Sequence, residues 1–502
     1  HRPDIAKIIL KIFNKKDIIN PGWLSSAVIS LLKLDPLIIN NLNKLSSGKL
    51  QDMFEEILVS LSNIPLLLRL MESSNINDLE LEDFFKKLRS VILINISKIE
   101  NNSEILNFQV SLSSHCYMNE YLYDETSEEI EALKKLEDLV KSKISNGYQP
   151  SSNELAALAS YKALNKYSWI HSIEIPIELE FLKTRQILEP IEEENLKTEI
   201  SILENVLNST SIKVRQQYEE NPYPRWTETG MIKKRGSIES LIKLLNLKLI
   251  NPSISEVIAP EILIAGCGTG QQVFGTIGRF NNCKILAVDL SLSSLAYAKR
   301  KTKEYGVSNV QYMQADILDL GMLDRKFDLI ECTGVLHHME DPMKGWKTLA
   351  DLLRSGGIMK IALYSKLARK HIFEIRNEII KLNIKLDHNS LKAFRNYAIN
   401  SKESRYKKLT QSRDFFSIST FRDLVFHVQE HQFTFTEIKT SLDKLGLVFC
   451  GLDDVDIEKI KNNFKIHNKL ESDIYDLEKW NTFEEKNQSA FVGMYQFWCQ
   501  KL

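Results

Sequence analysis

Ile262-Leu263-Ile264-Ala265-Gly266-Cys267-Gly268-Thr269-Gly270-Gln271 runs a buried-strand pattern into glycines at the point where a helical pattern begins. Glycines lack Cβ, so backbone can approach a ligand there, and a helix N-terminus offers it unpaired N–H groups. The spacing is GxGxG, with Gln271 where a dinucleotide fingerprint would run on toward another small residue, which favours an adenosyl ligand without a pyrophosphate. Asp289, 19 residues past Gly270, ends the next strand pattern, where a carboxylate can accept bonds from both ribose hydroxyls. Asp316, in Ala315-Asp316-Ile317, ends a third strand pattern and can accept the exocyclic amine of adenine. The loop, Asp289 with Leu290, and Ala315 to Ile317 form the expected nucleoside pocket.

These residues resemble the class I S-adenosylmethionine-dependent methyltransferases. The resemblance implies a Rossmann-like, seven-stranded α/β sheet and S-adenosylmethionine as cofactor, with S-adenosylhomocysteine as product; no metal is expected. Ile264 stands where the family has an acid two positions before the first glycine, so the contact to the methionyl amine falls to other groups.

Phe327 to Cys332 reads as a fourth strand, followed by Thr333-Gly334-Val335-Leu336-His337-His338. Residues just past the carboxyl end of a central strand face the ligand crevice, which adds Cys332, Thr333 and Gly334 to the cofactor wall. His337 and His338 then stand near the transferred methyl group. An amine acceptor must lose a proton, and a neutral histidine can take or relay it. A helix-capping role is the alternative for at least one of the pair. Upstream, Tyr218-Glu219-Glu220-Asn221-Pro222-Tyr223-Pro224-Arg225-Trp226 is a proline-stiffened aromatic strip. Tyr218, Tyr223 and Trp226 offer ring faces to a sulfonium or ammonium, as a lid over the cofactor, and Arg225 suits the methionyl carboxylate. A packed linker is the plainer reading.

The strip, the glycine loop, Val425-Phe426-His427-Val428-Gln429-Glu430-His431 and Gly493 to Trp498 together are similar to bacterial methyltransferases fused to helical repeats, and among these to the rickettsial protein-lysine methyltransferases that modify outer membrane protein B. That resemblance implies acceptor lysines on a large surface protein and a homodimer. His427 to His431 also fits H-x-x-E-H, a zinc-peptidase pattern, but a third ligand would have to come from a residue such as Glu484.

Elements must position these groups. Apolar runs at 261–266, 284–290, 310–315, 327–332 and 357–364 alternate with helical patterns, which predicts βαβ units and a parallel sheet. A helix opening at Thr436, the run Leu447 to Cys450 and the aromatic run ending at Trp498 supply its last strands. Residues 4 to about 205 carry apolar positions at three- and four-residue spacing, a helical array broken at Asn146 to Asn153, with Ser152 or Asn153 as the next cap. The expected divisions are a helical domain over 1–145, a second helical unit over 146–205, the cofactor domain over 206–365, a basic helical insertion over 366–430, and 431–502 completing the sheet. Between 366 and 413, 13 Lys or Arg stand against 4 Asp or Glu, with Phe394, Tyr397 and Tyr406 interleaved. That field suits steering of an acidic polypeptide, or is simply a solvated helical face.

The 502 residues favour several domains, and 65 basic against 66 acidic side chains leave no excess of positive charge for a nucleic-acid coat. Six cysteines without a CxxC pair suggest reduced thiols and a cytoplasmic home. The longest uncharged apolar runs fall short of about 20 residues, so no membrane insertion is expected. The chain opens on His1-Arg2-Pro3 without an initiator Met, so a removed leader stays open. The resulting expectation is a protein-lysine N-methyltransferase. The alternatives are a small-molecule (quinone or lipid) methyltransferase, and a helical interaction protein whose cofactor domain only binds ligand.

Overall fold

The computed structural model describes residues 2–15, 18–47, 50–99, 102–204, 206–230, 236–453, 457–466, 468, 470–488, 490, 491 and 493–502. They form two units. The first comprises 1–192, 225–230 and 385–422, and the second 193–224, 231–384 and 423–502.

The second unit holds one sheet built from β1 (Ser201–Ile202), β2 (Glu261–Ala265), β3 (Lys284–Asp289), β4 (Val310–Gln314), β5 (Phe327–Thr333), β6 (Leu353–Tyr364), β7 (Leu447–Leu452) and β8 (Met494–Lys501). Their order is β1-β4-β3-β2-β5-β6-β8-β7. The first six run parallel, and β8 lies antiparallel between β6 and β7. The strands are buried because helices, among them Gln271–Arg279, Leu292–Glu304, Pro342–Leu352 and Phe435–Leu445, cover the sheet's faces. Seven strands were expected and eight are present among the described residues: the two-residue edge strand β1 adds itself to β4, and a strand that short carries no period-2 pattern to read. Chain order reverses about β2, with β3 and β4 on one side and β5 and β6 on the other. The carboxyl ends around that switch point enclose a crevice, the standard ligand position in such sheets.

The first unit is a helical array. Pro21, Pro36 and Pro65 sit at first helical positions, where a missing N–H costs little. The cap expected at Ser152 or Asn153 is Ser151, because Ser151 and Glu154 form a reciprocal capping box. Two ion pairs are buried in this unit. Arg89 Nη2 donates to Glu129 at 3.1 Å while its guanidinium lies 4.1 Å from the Tyr161 ring, and Arg395 grips Glu82 through two bonds of 2.6 and 2.7 Å. Breaking such a pair strands a buried charge and costs about 3–5 kcal/mol.

The basic segment is divided between the units: 385–422 folds with the N-terminal helices and 366–384 with the sheet. Residues 193–205 likewise belong to the sheet unit. Part of the expected steering charge is engaged internally. Arg395 pairs with Glu82, Lys392 donates to the Tyr123 carbonyl at 2.9 Å, and Arg369 pairs with Glu430 at 2.7 Å. Phe394 and Tyr406 are core residues and only Tyr397 is exposed. Among the described residues no single helix is long and apolar enough to cross a membrane. Pro21–Leu32 and Pro36–Ser46 reach that length only together, across a 72° bend. All six cysteines are buried thiols.

Candidate functional site

A cavity of about 350 Å³ opens over the carboxyl ends of β2 to β6 and the amino end of the antiparallel β8, and all of its lining residues belong to the sheet unit. One end is walled by Ala315, Asp316 and Ile317 after β4 and by Asp289 and Leu290 after β3. Gly266 to Gly268 and Gln271 follow after β2, then Thr333 and Gly334 after β5. Gly268 holds φ +51°, and a Cβ there would sit 2.5 Å from the Tyr223 carbonyl oxygen, so only glycine lets the loop pass beneath the aromatic strip. Its N–H donates to Asp289 Oδ2 at 2.8 Å, and the Ser291 N–H donates to Oδ1 at 2.9 Å. These bonds aim the carboxylate into the cavity. Burial nevertheless raises the Asp289 pKa to about 6, against which the two N–H bonds pull it down.

Tyr218 is placed by its helix, Ser209–Glu220. The last turn is bolted to the β3 loop, because the N–H groups of Leu292 and Ser293 donate to the Glu219 carboxylate at 2.6 and 3.1 Å and Ser291 Oγ donates to the Tyr218 carbonyl. The Tyr218 hydroxyl donates to Asp423 Oδ1 at 2.6 Å, and burial and Asp423 keep it neutral by raising its pKa well above 10. The Gln429 N–H donates to His427 Nδ1 at 3.2 Å, so neutral His427 carries its proton on Nε2, which lies 3.1 Å from the Tyr218 oxygen and donates to it. The chain His427, Tyr218, Asp423 therefore ends on a carboxylate at the cavity wall.

His338 donates from Nδ1 to the Gln429 carbonyl at 2.7 Å, which leaves the lone pair on Nε2. Burial holds its pKa down at about 4, and it lines the cavity. His338, Asp423 and His427 bring ligand-type atoms within 4.8 Å of one another. The two imidazoles, however, are stacked with centroids 3.5 Å apart and planes at 20°, so their in-plane lone pairs do not converge on one ion. The H-x-x-E-H reading also fails on geometry. Helix Ile418–Phe426 ends before His427, and Glu430 is consumed by Arg369.

Of the residues singled out in the sequence, Tyr218, Tyr223, Gly266, Cys267, Gly268, Gln271, Asp289, Leu290, Ala315, Asp316, Ile317, Thr333, Gly334 and His338 line one cavity. Six candidates do not. Gly270 is needed where its helix packs on Ala298, 2.7 Å from where a Cβ would be, and Thr269 ties the loop to the strip through Pro224. Cys332 is sheet core, with burial pushing its thiol to about 12. Arg225 and Trp226 belong to the first unit, where Arg225 lies over the Tyr117 ring at 4.3 Å and Trp226 is buried. His337 is fully buried and stacks on Tyr364 at 3.8 Å, with neither ring nitrogen bonded among the described residues.

His337 is therefore packing for Tyr364, which does line the cavity. His337→Phe should keep at least half of the turnover, whereas His337→Ala should lower thermal stability by about 2 kcal/mol or more through the void it leaves; comparing turnover and melting of the two variants checks this.

Sequence reasoning missed Tyr364, Gln272, Met494, Gln496 and Asp423. Tyr364 ends β6, so the strand-end rule that selected Thr333 would have found it. Asp423 sits in an ordinary helical pattern and carries no local signal. The complete lining contains three carboxylates, Asp289, Asp316 and Asp423, and no Lys or Arg among the described residues. That electrostatics rejects a pyrophosphate and suits a neutral nucleoside bearing a cation.

Residues 262–357 match the family model of a methyltransferase domain. The chain is 29% identical over 236 residues to an uncharacterized protein of Synechococcus sp., covering 45% of this chain and 56% of that protein. It is 28% identical over 120 residues to the tRNA U34 carboxymethyltransferase of Campylobacter jejuni, covering 23% of this chain and 39% of the relative. The chain thus spans less than two thirds of either relative. Among solved structures it is similar to PKMT2 from Rickettsia typhi in complex with AdoHcy, at 19% identity and a TM-score of 0.40, covering 56% of this chain and 55% of that one.

Proposed function

Starting from a chain that carries a class I, S-adenosylmethionine-dependent methyltransferase domain, we propose that it transfers methyl groups to lysine side chains of a protein. One observation carries the amine reading: the cavity's third carboxylate. Asp289 and Asp316 stand at the ends of β3 and β4, where the ribose and adenine fit, while Asp423 accepts from Tyr218, whose ring meets Tyr223 and His427, and His427 stacks on His338 beside Tyr364. A carboxylate beside aromatic faces attracts an ammonium, and it repels the phenolate or carboxylate that an O-methyl transfer would use.

The donor supplies a sulfonium-bound methyl and leaves as S-adenosylhomocysteine. The residues do the rest. Asp423 and the tyrosine faces hold the acceptor ammonium in line with the methyl group. His338 Nε2, unprotonated at rest, takes up the proton that the amine must shed before attack. Burial holds the His338 pKa down at about 4, so the ring carries that proton only transiently and gives it up to solvent from the same Nε2, since Nδ1–H is already committed to the Gln429 carbonyl. The helices of the first unit supply surface for a macromolecular acceptor, which a quinone or lipid does not need. An acceptor on a large outer membrane protein, and a homodimeric enzyme, belong to the same proposal.

Incubation of the full chain with methyl-labelled S-adenosylmethionine and a bacterial lysate tests this. Label in large proteins is expected. Label confined to the lipid extract or to small molecules contradicts the protein acceptor, and no transfer at all contradicts catalysis.

A further inference from the structure

We propose that Gln272, gripped by the buried Glu331 and by Thr333, binds the ammonium at the donor's aminoacyl end; the inference rests on S-adenosylmethionine being the donor. Ile264 leaves the strand position two residues before Gly266 without an acid, and that position's register partner across β2 and β5 is Glu331. A carboxylate therefore lies one strand over, only 2% exposed. Gln272 Nε2 donates to Glu331 Oε2 at 2.7 Å and Thr276 Oγ1 donates to the same oxygen at 2.9 Å. A carboxylate only accepts, so it fixes which end of the Gln272 amide faces it. The amide oxygen is thereby turned to Thr333, whose hydroxyl donates to it at 2.5 Å. Arg279, 3.9 Å from the other carboxylate oxygen, offsets part of the buried charge.

Gln272 and Thr333 both line the cavity beside Gly266. The result is a pair of oriented oxygen acceptors, backed by a carboxylate that polarises the amide, suited to an ammonium with three donors. Position agrees with chemistry. With adenine at Asp316 on β4 and ribose at Asp289 on β3, a donor extended along the strand order places its far end over β2 and β5. Glu331 acts through Gln272 and is a positioning residue.

Calorimetric titration of the full chain with S-adenosylhomocysteine and with 5′-methylthioadenosine, which lacks the aminoacyl group, separates this end from the rest of the ligand. Gln272→Met keeps volume and removes both amide bonds; it should weaken S-adenosylhomocysteine about tenfold and leave 5′-methylthioadenosine within about twofold. Thr333→Val should weaken the first ligand about threefold with the same bias, and it carries the test if Gln272→Met melts early. Equal loss for both ligands, or unchanged S-adenosylhomocysteine binding, overturns the inference. If the unaltered chain binds neither ligand, the donor reading falls and this inference with it.

Discussion

Asp289→Asn should weaken S-adenosylmethionine binding tenfold or more, about 1.4 kcal/mol for each decade. The Asp289 carboxylate is already held by the N–H groups of Gly268 and Ser291, and only a carboxylate can accept those two bonds and the ribose hydroxyls together. An amide turns one of its two ends into a donor facing a donor. The same residue makes the ligand-free fold pH-dependent. Its folded pKa is raised from 3.8 to about 6, so between these values the folded chain binds more protons than the unfolded chain. The folded state therefore loses stability as pH rises through that window, by about 3 kcal/mol from this group. Asp289→Asn should remove that slope, so the variant should gain melting temperature relative to the unaltered chain at pH 7.5 but not at pH 4. Because binding uses the ionised form, affinity in the unaltered chain should fall as pH drops below about 6. Calorimetry at pH 5.5 and 7.5 and melting curves across pH 4–8 measure both effects. Affinity indifferent to Asp289→Asn contradicts the ribose assignment.

Asp423→Asn should lower the methyl-transfer rate about a hundredfold while leaving S-adenosylhomocysteine affinity within about twofold, because the proposal gives this cavity-lining carboxylate to the acceptor ammonium and not to the donor. Asparagine still accepts from the Tyr218 hydroxyl, so the wall keeps its shape and only the charge is lost. Two decades in rate amount to about 2.7 kcal/mol, the scale of one charge-assisted bond to an ammonium. Turnover preserved in this variant would place the acceptor elsewhere. Lost cofactor affinity instead of lost turnover would move Asp423 to the donor end.

The part of the cavity proposed for the donor was legible because it is written locally. A strand, three glycines and a helix start occur within ten residues, and two acids end the next strands, so position along the chain gives position in the crevice. The part proposed for the acceptor is assembled by tertiary packing. Asp423 follows Arg422 in a helix whose pattern says nothing of a site, and it reaches the cavity because Tyr218, some 200 residues earlier, meets it. The same cause misplaced Arg225 and Trp226. The strip reads as one stiff segment, yet the boundary between the units falls between Pro224 and Arg225. His337 and His338 are neighbours of identical type, and only packing decides that His338 faces the cavity while His337 is sandwiched against Tyr364. Glu331 was invisible for a related reason, since its partner Ile264 is 67 residues away and only strand register joins them.

The most direct measurement is the chemical position of the transferred methyl. Protein labelled by the full chain with methyl-labelled S-adenosylmethionine is hydrolysed to amino acids and separated. The label is expected to co-migrate with N-methylated lysines and to disappear in reactions with Asp423→Asn. Label recovered on arginine, on a base-labile ester, or in RNA or lipid rather than protein would contradict it.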